Sequence, residues 1–166
     1  MDHLFGLGHQ RIAHLTIRPP TDLGPHALRL KAYRSRMAQA GREPQVVHSR
    51  SLEQEAYEAA RTLLEGSNPP TAIFAGHDQL AIGVLRAIAE LGLDAEDVSV
   101  VGYDNINLAA HPLISLTTVD QFGVEMGAAS IELLMERIRD GRRSPRHHQL
   151  APQLRVRNSS RPIRSG

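Results

Sequence analysis

The sequence predicts an α/β fold, a mostly parallel, doubly wound sheet with helices on both faces. Three observations carry that expectation. Two short, uniformly apolar runs, Thr71 to Ala75 and Val98 to Tyr103, have the length and β-branched content of strands buried on both sides. Between them Leu80, Val84, Leu85, Ile88 and Leu91 recur at helical spacing, so the unit reads as strand, crossover helix, parallel strand. Elsewhere strand-like and helix-like segments alternate, as a parallel sheet requires when each crossover returns the chain to the same end.

Taken in order, Ile12 to Ile17 is a strand candidate, followed by a loop rich in Pro and Gly from Arg18 to Pro25. A helix is expected from about His26 to Ala40, with Leu30, Tyr33, Met37 and Ala40 on one face and Gly41 as its stop. Gln45 to His48 is a short strand. Ser51-Leu52-Glu53-Gln54 reads as a capping box, opening a helix to about Glu65 that Gly66 and Asn68-Pro69-Pro70 terminate. Asp78 stands where the N-cap of the next helix belongs, and Gly92 at its C′ position. A last helix, from about Val124 to Arg139, carries Val124, Gly127, Ala128, Ile131, Leu134, Met135 and Ile138 as an apolar stripe wide enough to need a buried partner. The expected organisation is a single lobe over residues 1–166: a core to about 119, a crossing segment and returning helix over 120–141, and terminal strands with a basic tail over 142–166.

Composition narrows the function classes. The chain has 166 residues, 41% hydrophobic and 22% charged, which suits one sizeable core; with 4% aromatic residues and no Trp, that core must be aliphatic. The absence of Cys excludes disulfides, thiolate metal sites and cysteine nucleophiles. No run approaches the roughly 20 apolar residues of a membrane span, and no charged start leads into an apolar signal core, so a cytoplasmic location is expected. The net charge of +1 hides nine Arg against two acids after Met135. A solvated strand and tail is preferred there to nucleic-acid contact, because no aromatic residue or recognition helix accompanies the charge. His147-His148 would diverge in a strand, and His3, His9 and His14 lack the spacing of a helical zinc pair, so neither metal nor cofactor is expected. No nucleophile elbow or phosphate-cradling glycine loop occurs, and His77-Asp78 has no nucleophile near it in sequence, so enzyme chemistry has little support.

In open α/β sheets a ligand lies outside the carboxyl ends of the strands, which brings together Gly76, His77 and Asp78 after one strand and Asp104 and Asn105 after the next. Arg29, placed near the positive end of a helix, suits a planar fork that holds vicinal hydroxyls, a carboxylate or a phosphate; an exposed surface arginine is the alternative. Asp104 would accept hydrogen bonds from hydroxyls or amines, or else make an Asx-turn. His77 can donate or accept and titrates near neutral pH, or it merely packs against the rim.

The wording from Ile73 to Val119, "IFAxxDxxAIGxLRAIxELGLxxxDVSVVGYDN" continuing through "PLxxLTTV", resembles the effector-binding core of the LacI/GalR family of bacterial transcriptional repressors, a core itself similar to periplasmic sugar-binding proteins. The resemblance extends over nearly the whole chain, through His3-Leu4, Leu7-Gly8-His9-Gln10-Arg11-Ile12-Ala13, Arg29-Leu30-Lys31-Ala32-Tyr33, Gln121, Met126-Gly127 and Leu150 to Ser160. It implies a periplasmic-binding-protein-like C-terminal lobe in which Arg29 and Asp104 contact effector. His77 stands where the family often has an effector-binding Asn, which implies a ligand other than a common hexose. Ala32 and Phe122 are smaller departures, replacing the usual Gly and Pro. Asn105, Gln121 and Phe122 would line the cleft rim, with Asp78 as a helix cap beside the site. The resemblance further implies that a full-length member opens with a helix-turn-helix headpiece, a hinge and a first lobe, all preceding what this chain contains, and that the returning helix belongs with that first lobe. The expected function is ligand sensing in a repressor: a small polar effector such as a sugar, a homodimer, operator DNA reached only through a headpiece not in this chain, and no membrane. A periplasmic-type solute-binding lobe, or a small α/β hydrolase or transferase, are the alternatives.

Overall fold

A six-stranded sheet in the order β2-β1-β3-β4-β5-β6 organises the molecule, parallel throughout except for the antiparallel edge strand β6. The computed structural model describes residues 1–17, 23–50 and 53–164. In chain order the elements are α1 (Asp2–Gly6), β1 (Ile12–Ile17), α2 (Pro25–Gln39), β2 (Gln45–Ser49), α3 (Glu53–Leu64), β3 (Ala72–Ala75), α4 (Asp78–Glu90), β4 (Ser99–Tyr103), a 3₁₀ turn (Asn107–Ala110), β5 (Thr117–Asp120), α5 (Gly123–Arg139) and β6 (Gln153–Arg155). The expected α/β architecture and its central βαβ unit are therefore present. The Ser51 cap falls on residues 51 and 52, outside the described residues. The terminal strands reduce to one of three residues, and His147-His148 lies in no strand.

Strand alternation divides the core into two layers. Ala13, Leu15, Ile73, Ala75 and Val100 pack against α3 and α4, while Ile12, Ala72 and Val101 pack against Leu4 of α1 and Leu30, Tyr33 and Met37 of α2. Helix α2 starts one residue earlier than its periodicity suggested, because Pro25 at its first turn supplies the fixed φ a helix start needs. That shift buries Ala27 in place of Ala40, which is exposed beyond the last turn. The Tyr33 hydroxyl donates to Ile12 O at 2.7 Å and accepts from Gln45 N at 2.9 Å, pinning α2 to both β1 and β2.

Helix α5 stands apart. It contributes no buried residue to either layer; Val124 is 85% exposed, Ile131 61% and Ile138 66%. The stripe does face water, as expected for a helix whose partner is not among these elements.

The C-terminal segment departs from a solvated tail. Ser159 Oγ donates to Val100 O and accepts from Thr117 N, at 2.7 and 2.8 Å, and Ser160 Oγ meets Thr117 Oγ1 at 2.8 Å and His3 Nε2 at 2.9 Å. His9, wholly buried, contacts Thr71 and Ser99 hydroxyls and Arg161 O. Arg164 pairs with Asp94, Glu96 and Asp97. The basic end is spent on the protein's own carbonyls and carboxylates because the strand amino ends it crosses expose unpaired polar groups.

Gly83 sets the approach of α4 to α3. A Cβ there would come within 2.3 Å of Glu53 O and 2.9 Å of Ala56 Cβ. Gly83→Ala should therefore destabilise the fold by about 2 kcal/mol, although alanine is the better helix former by about 1 kcal/mol, because the clash is with backbone. Urea unfolding measures it, and a gain in stability would show that α3 shifts freely.

Candidate functional site

The strand order reverses direction between β1 and β3, so the carboxyl edge there opens a crevice flanked by the start of α2 and the start of α4. Arg29 and His26 come from the first side, His77 from the second, and Tyr103 and Asp104 from the neighbouring strand end. Sequence reasoning placed His77 and Asp104 at this edge and brought in Arg29 through the family resemblance, and the structure sets the three near one another.

Arg29 lies five residues into α2, past the first turn, because the helix begins at Pro25. The dipole argument for its placement therefore weakens. Its guanidinium stacks on the Tyr103 ring, 4.4 Å from the centroid, and one terminal nitrogen lies 3.4 Å from His26 Nδ1. Among the described residues it makes no ion pair within 4.0 Å, and its buried Nε has no hydrogen-bond partner. A half-buried cation held by an aromatic face keeps its fork for something else.

The cap of α4 is His77, not Asp78. His77 Nδ1 accepts from Leu80 N at 3.4 Å, leaving the ring proton on Nε2. Its ring meets that of His26 edge-on, 5.7 Å between centroids. Burial, then the nearby Arg29 charge, lowers the His77 pKa. The same two causes and His77 bring His26 down to about 4. Both imidazoles are thus neutral at pH 7 beside a permanent cation.

Asp78 is the first residue of the helix and is turned inward, wholly buried. Thr118 Oγ1 donates to Oδ1 at 2.5 Å and Ile106 N to Oδ2 at 2.9 Å. A carboxylate with two donors across the sheet gains more than one capping a helix start that His77 already serves. Burial raises its pKa, against the opposing hydrogen bonds from Thr118, Ile106 and Tyr103. Gly102 leaves the space, since a Cβ there would lie 2.2 Å from Asp78 Oδ1.

That anchor shapes the next turn. Asp104 and Asn105 both have positive φ, 112° and 53°. Asp104 accepts from Gln121 Nε2 at 2.8 Å instead of making an Asx-turn, and burial raises its pKa while Arg29 opposes the rise. Asn105 donates to Asp120 at 3.1 Å and accepts from Arg157 at 2.8 Å, so it braces the turn. Phe122, left-handed at φ 57°, begins α5 and packs under the Arg155 guanidinium, 5.5 Å away.

Sequence reasoning missed His26 and Tyr103. The signal for His26 was its i−3 spacing from Arg29, which puts both on one helix face; Tyr103 read only as the last residue of a strand. It also passed over His14, fully buried on β1 and stacked on Phe74 at 4.6 Å. A surface depression of about 550 Å³ between β2 and α3 lies at the sheet edge away from these groups. A groove of about 390 Å³ begins at Arg29 and Tyr103 and continues along Phe74, Val101, Val119 and Leu154.

A parallel sheet with polar side chains converging at its switch point and no nucleophile among them defines a ligand-binding α/β domain. The chain belongs to the periplasmic binding protein-like domain family, whose profile it matches over residues 1–160. It is similar to the ribose operon repressor of Escherichia coli strain K12, at 35% identity over 162 residues, 95% of this chain and 48% of that protein. Among solved structures it is similar to a LacI-family transcriptional regulatory protein from Corynebacterium glutamicum (35% identity, TM-score 0.86, 97% of this chain and 62% of that one). Another, a LacI-family regulator from Enterococcus faecium with bound ribose, is 30% identical with TM-score 0.85, covering 98% of this chain and 60% of that one. The chain spans about half the length of the curated relatives it matches. These relatives are transcriptional regulators, and no helix among the described residues is long and apolar enough to cross a membrane.

Two stability outcomes follow from the buried groups. His14 Nδ1 faces Phe74 O at 2.8 Å and must donate to it, so Nε2 is an unpartnered lone pair in an apolar layer. Burial chiefly, with Arg29, His26 and His48, brings its pKa down from 6.5 to about 4. The unfolded chain therefore binds this proton at a higher pH than the fold does, and stability falls as pH drops from 6.5 toward 4. The loss from His14 approaches about 3 kcal/mol below that window. Urea midpoints at pH 7 and pH 5 should show the fall, and His14→Phe should reduce it; an unchanged slope would remove His14 as its cause. Asp78→Ala, which orphans two buried donors, should cost about 3 kcal/mol by the same measurement.

Proposed function

We propose that this chain is the ligand-sensing lobe of a LacI-type transcriptional repressor, binding a small polar effector such as a sugar at the crevice between α2 and the starts of α4 and the β4 turn. The observation that carries this reading is Arg29: a half-buried guanidinium held on the Tyr103 face, with no carboxylate ion-paired to it among the described residues, near Asp104. Arg29 would donate to ligand oxygens, Asp104 would accept from ligand hydroxyls while Gln121 orients it, and His26 and His77 would supply neutral imidazole contacts. One cation and one carboxylate beside two neutral rings suit a hydroxyl-rich neutral molecule better than a strongly charged one. Asn105 and Phe122 would hold the rim in place. No group here is set up to break a bond, so the lobe would bind and release its ligand unchanged. The E. faecium relative with bound ribose supports a sugar.

In the full-length repressor, effector would draw this lobe toward another and shift a two-state equilibrium, and operator DNA would be engaged by a headpiece, in a homodimer in the cytoplasm. Titration calorimetry with a panel of pentoses and hexoses that includes ribose tests the site. Arg29→Ala and Asp104→Asn should each weaken binding roughly tenfold or more, the effect of losing a charge-assisted hydrogen bond of about 1.5–3 kcal/mol. Arg36→Ala, farther along α2, should leave it unchanged. Affinity should be level from pH 7 to 8, where both imidazoles are neutral. Binding that survives both substitutions would move the site elsewhere.

A further inference from the structure

Three buried polar atoms near the carboxyl end of β1 have no hydrogen-bond partner among the described residues: His14 Nε2, Thr16 Oγ1 and Arg29 Nε. Strand alternation puts His14 and Thr16 on one face of β1, the face that α2 covers, and both are wholly out of solvent. Elements of this lobe itself bury them. The His14 ring packs on Phe74 at 4.6 Å and on Tyr33 at 5.2 Å between centroids. Arg29 is close enough for its charge to act on His14 and on His77, so its guanidinium lies near the ends of both β1 and β3. Gly76 leaves the Thr16 hydroxyl unobstructed, since a Cβ there would come within 2.8 Å of Oγ1. Buried polar groups are ordinarily served, and three unserved ones at a ligand crevice point to a group that serves them.

The hydrogen-bonding capacity of the three defines that group. His14 Nδ1 donates to Phe74 O, and burial keeps the ring neutral with a pKa of about 4, so Nε2 can only accept. Arg29 Nε can only donate, and Thr16 Oγ1 can do either. We infer that these atoms form an inner subsite of the ligand crevice that takes one hydroxyl group, whose proton is donated to His14 Nε2 and whose two lone pairs accept from Arg29 Nε and Thr16 Oγ1. A carboxylate, phosphate or carbonyl oxygen would set a lone pair against Nε2, an ammonium would meet the Arg29 cation, and an apolar group would leave all three atoms unserved. One donor and two acceptor sites on a single atom are what a hydroxyl offers. The inference rests on the ligand-sensing reading in taking that hydroxyl from the bound effector. Water has the same chemistry, and the sugar arm of the test separates the two.

Two probes of fixed chemistry test the subsite without knowledge of the effector. In the chain labelled with nitrogen-15 at histidine and arginine, methanol should move the His14 Nε2 and Arg29 Nε resonances along a saturable curve. Dimethyl sulfoxide, an acceptor with no hydroxyl proton, should leave His14 Nε2 where it is. Thr16→Val keeps the shape and removes the hydroxyl; with circular dichroism unchanged, it should weaken the methanol response roughly threefold or more, the loss of one hydrogen bond. In calorimetry, ribose should bind about tenfold more tightly than one of its monodeoxy analogues, and Thr16→Val should shrink that gap to about threefold or less. No saturable methanol response, or one equally strong in Thr16→Val, overturns the inference. A deoxy gap that Thr16→Val leaves unchanged also overturns it, because the subsite then holds water only. If no pentose or hexose binds, the sugar reading fails and the methanol response alone decides the subsite; if sugars bind and the subsite fails, the reading at Arg29 and Asp104 stands.

Discussion

The buried carboxylate of Asp78 is the constraint on which the site depends. It lies at the first turn of α4, wholly out of solvent, and reaches across to Thr118 on β5 and to the Ile106 amide beyond β4. A buried anion is tolerable only when its oxygens are fully served. Serving it draws the β4 turn against the helix start, requires Gly102 on the strand between, and leaves the chain to pass through positive φ at Asp104 and Asn105. Asp104 is thereby aimed at the same edge as Arg29. The same demand explains the His77 cap: with Asp78 committed to the sheet, the free amide of Leu80 takes the preceding imidazole instead.

The electrostatics of the crevice follow from burial more than from pairing. Arg29 gains its hold from the Tyr103 ring, and the imidazoles around it are kept neutral chiefly by desolvation and then by Arg29 itself. Adding protons would set three cations within one half-buried pocket, so the arrangement is stable above the histidine range and costly below it. Asp104 is the counterweight, and its raised pKa shows that burial outweighs the attraction of Arg29. Arg29 and Asp104 thus act on each other across the crevice, while Gln121 already donates to one Asp104 oxygen.

How much of this was legible in the sequence depends on whether a residue's role is set by its neighbours along the chain or across it. The strands at Ala72 and Ser99, the spacing of α4 and the stop at Gly92 are local patterns, and they were legible. So was the convergence of His77 and Asp104, because strand ends in a parallel sheet share an edge, whereas Arg29, on a helix, came in only through the family resemblance. The inward turn of Asp78 was not, since its partners are 28 and 40 residues away and an aspartate at a helix start looks locally like a cap. His26 and Tyr103 were missed for a related reason: their importance comes from packing against Arg29 across elements. The basic C-terminal end looked solvated because the acids that meet Arg164 lie about 70 residues earlier.

The C-terminal segment and α5 are treated differently by the fold, and the difference has a physical origin. The segment from Arg157 to Arg164 is drawn across the amino ends of β3 to β5, where open strand ends and the first helix present carbonyls, hydroxyls and His9 that need partners. Satisfying them fixes the segment although it contains little regular structure. Helix α5 offers the opposite case. Its polar ties run to the segment just after it, from Arg142 to Leu133 O and from Arg146 to Glu136, and its apolar stripe finds no vacancy in either layer, since α1 and α2 fill one side of the sheet and α3 and α4 the other. A helix in that position keeps its form but not its burial. Its stabilisation must come from a surface outside the two layers.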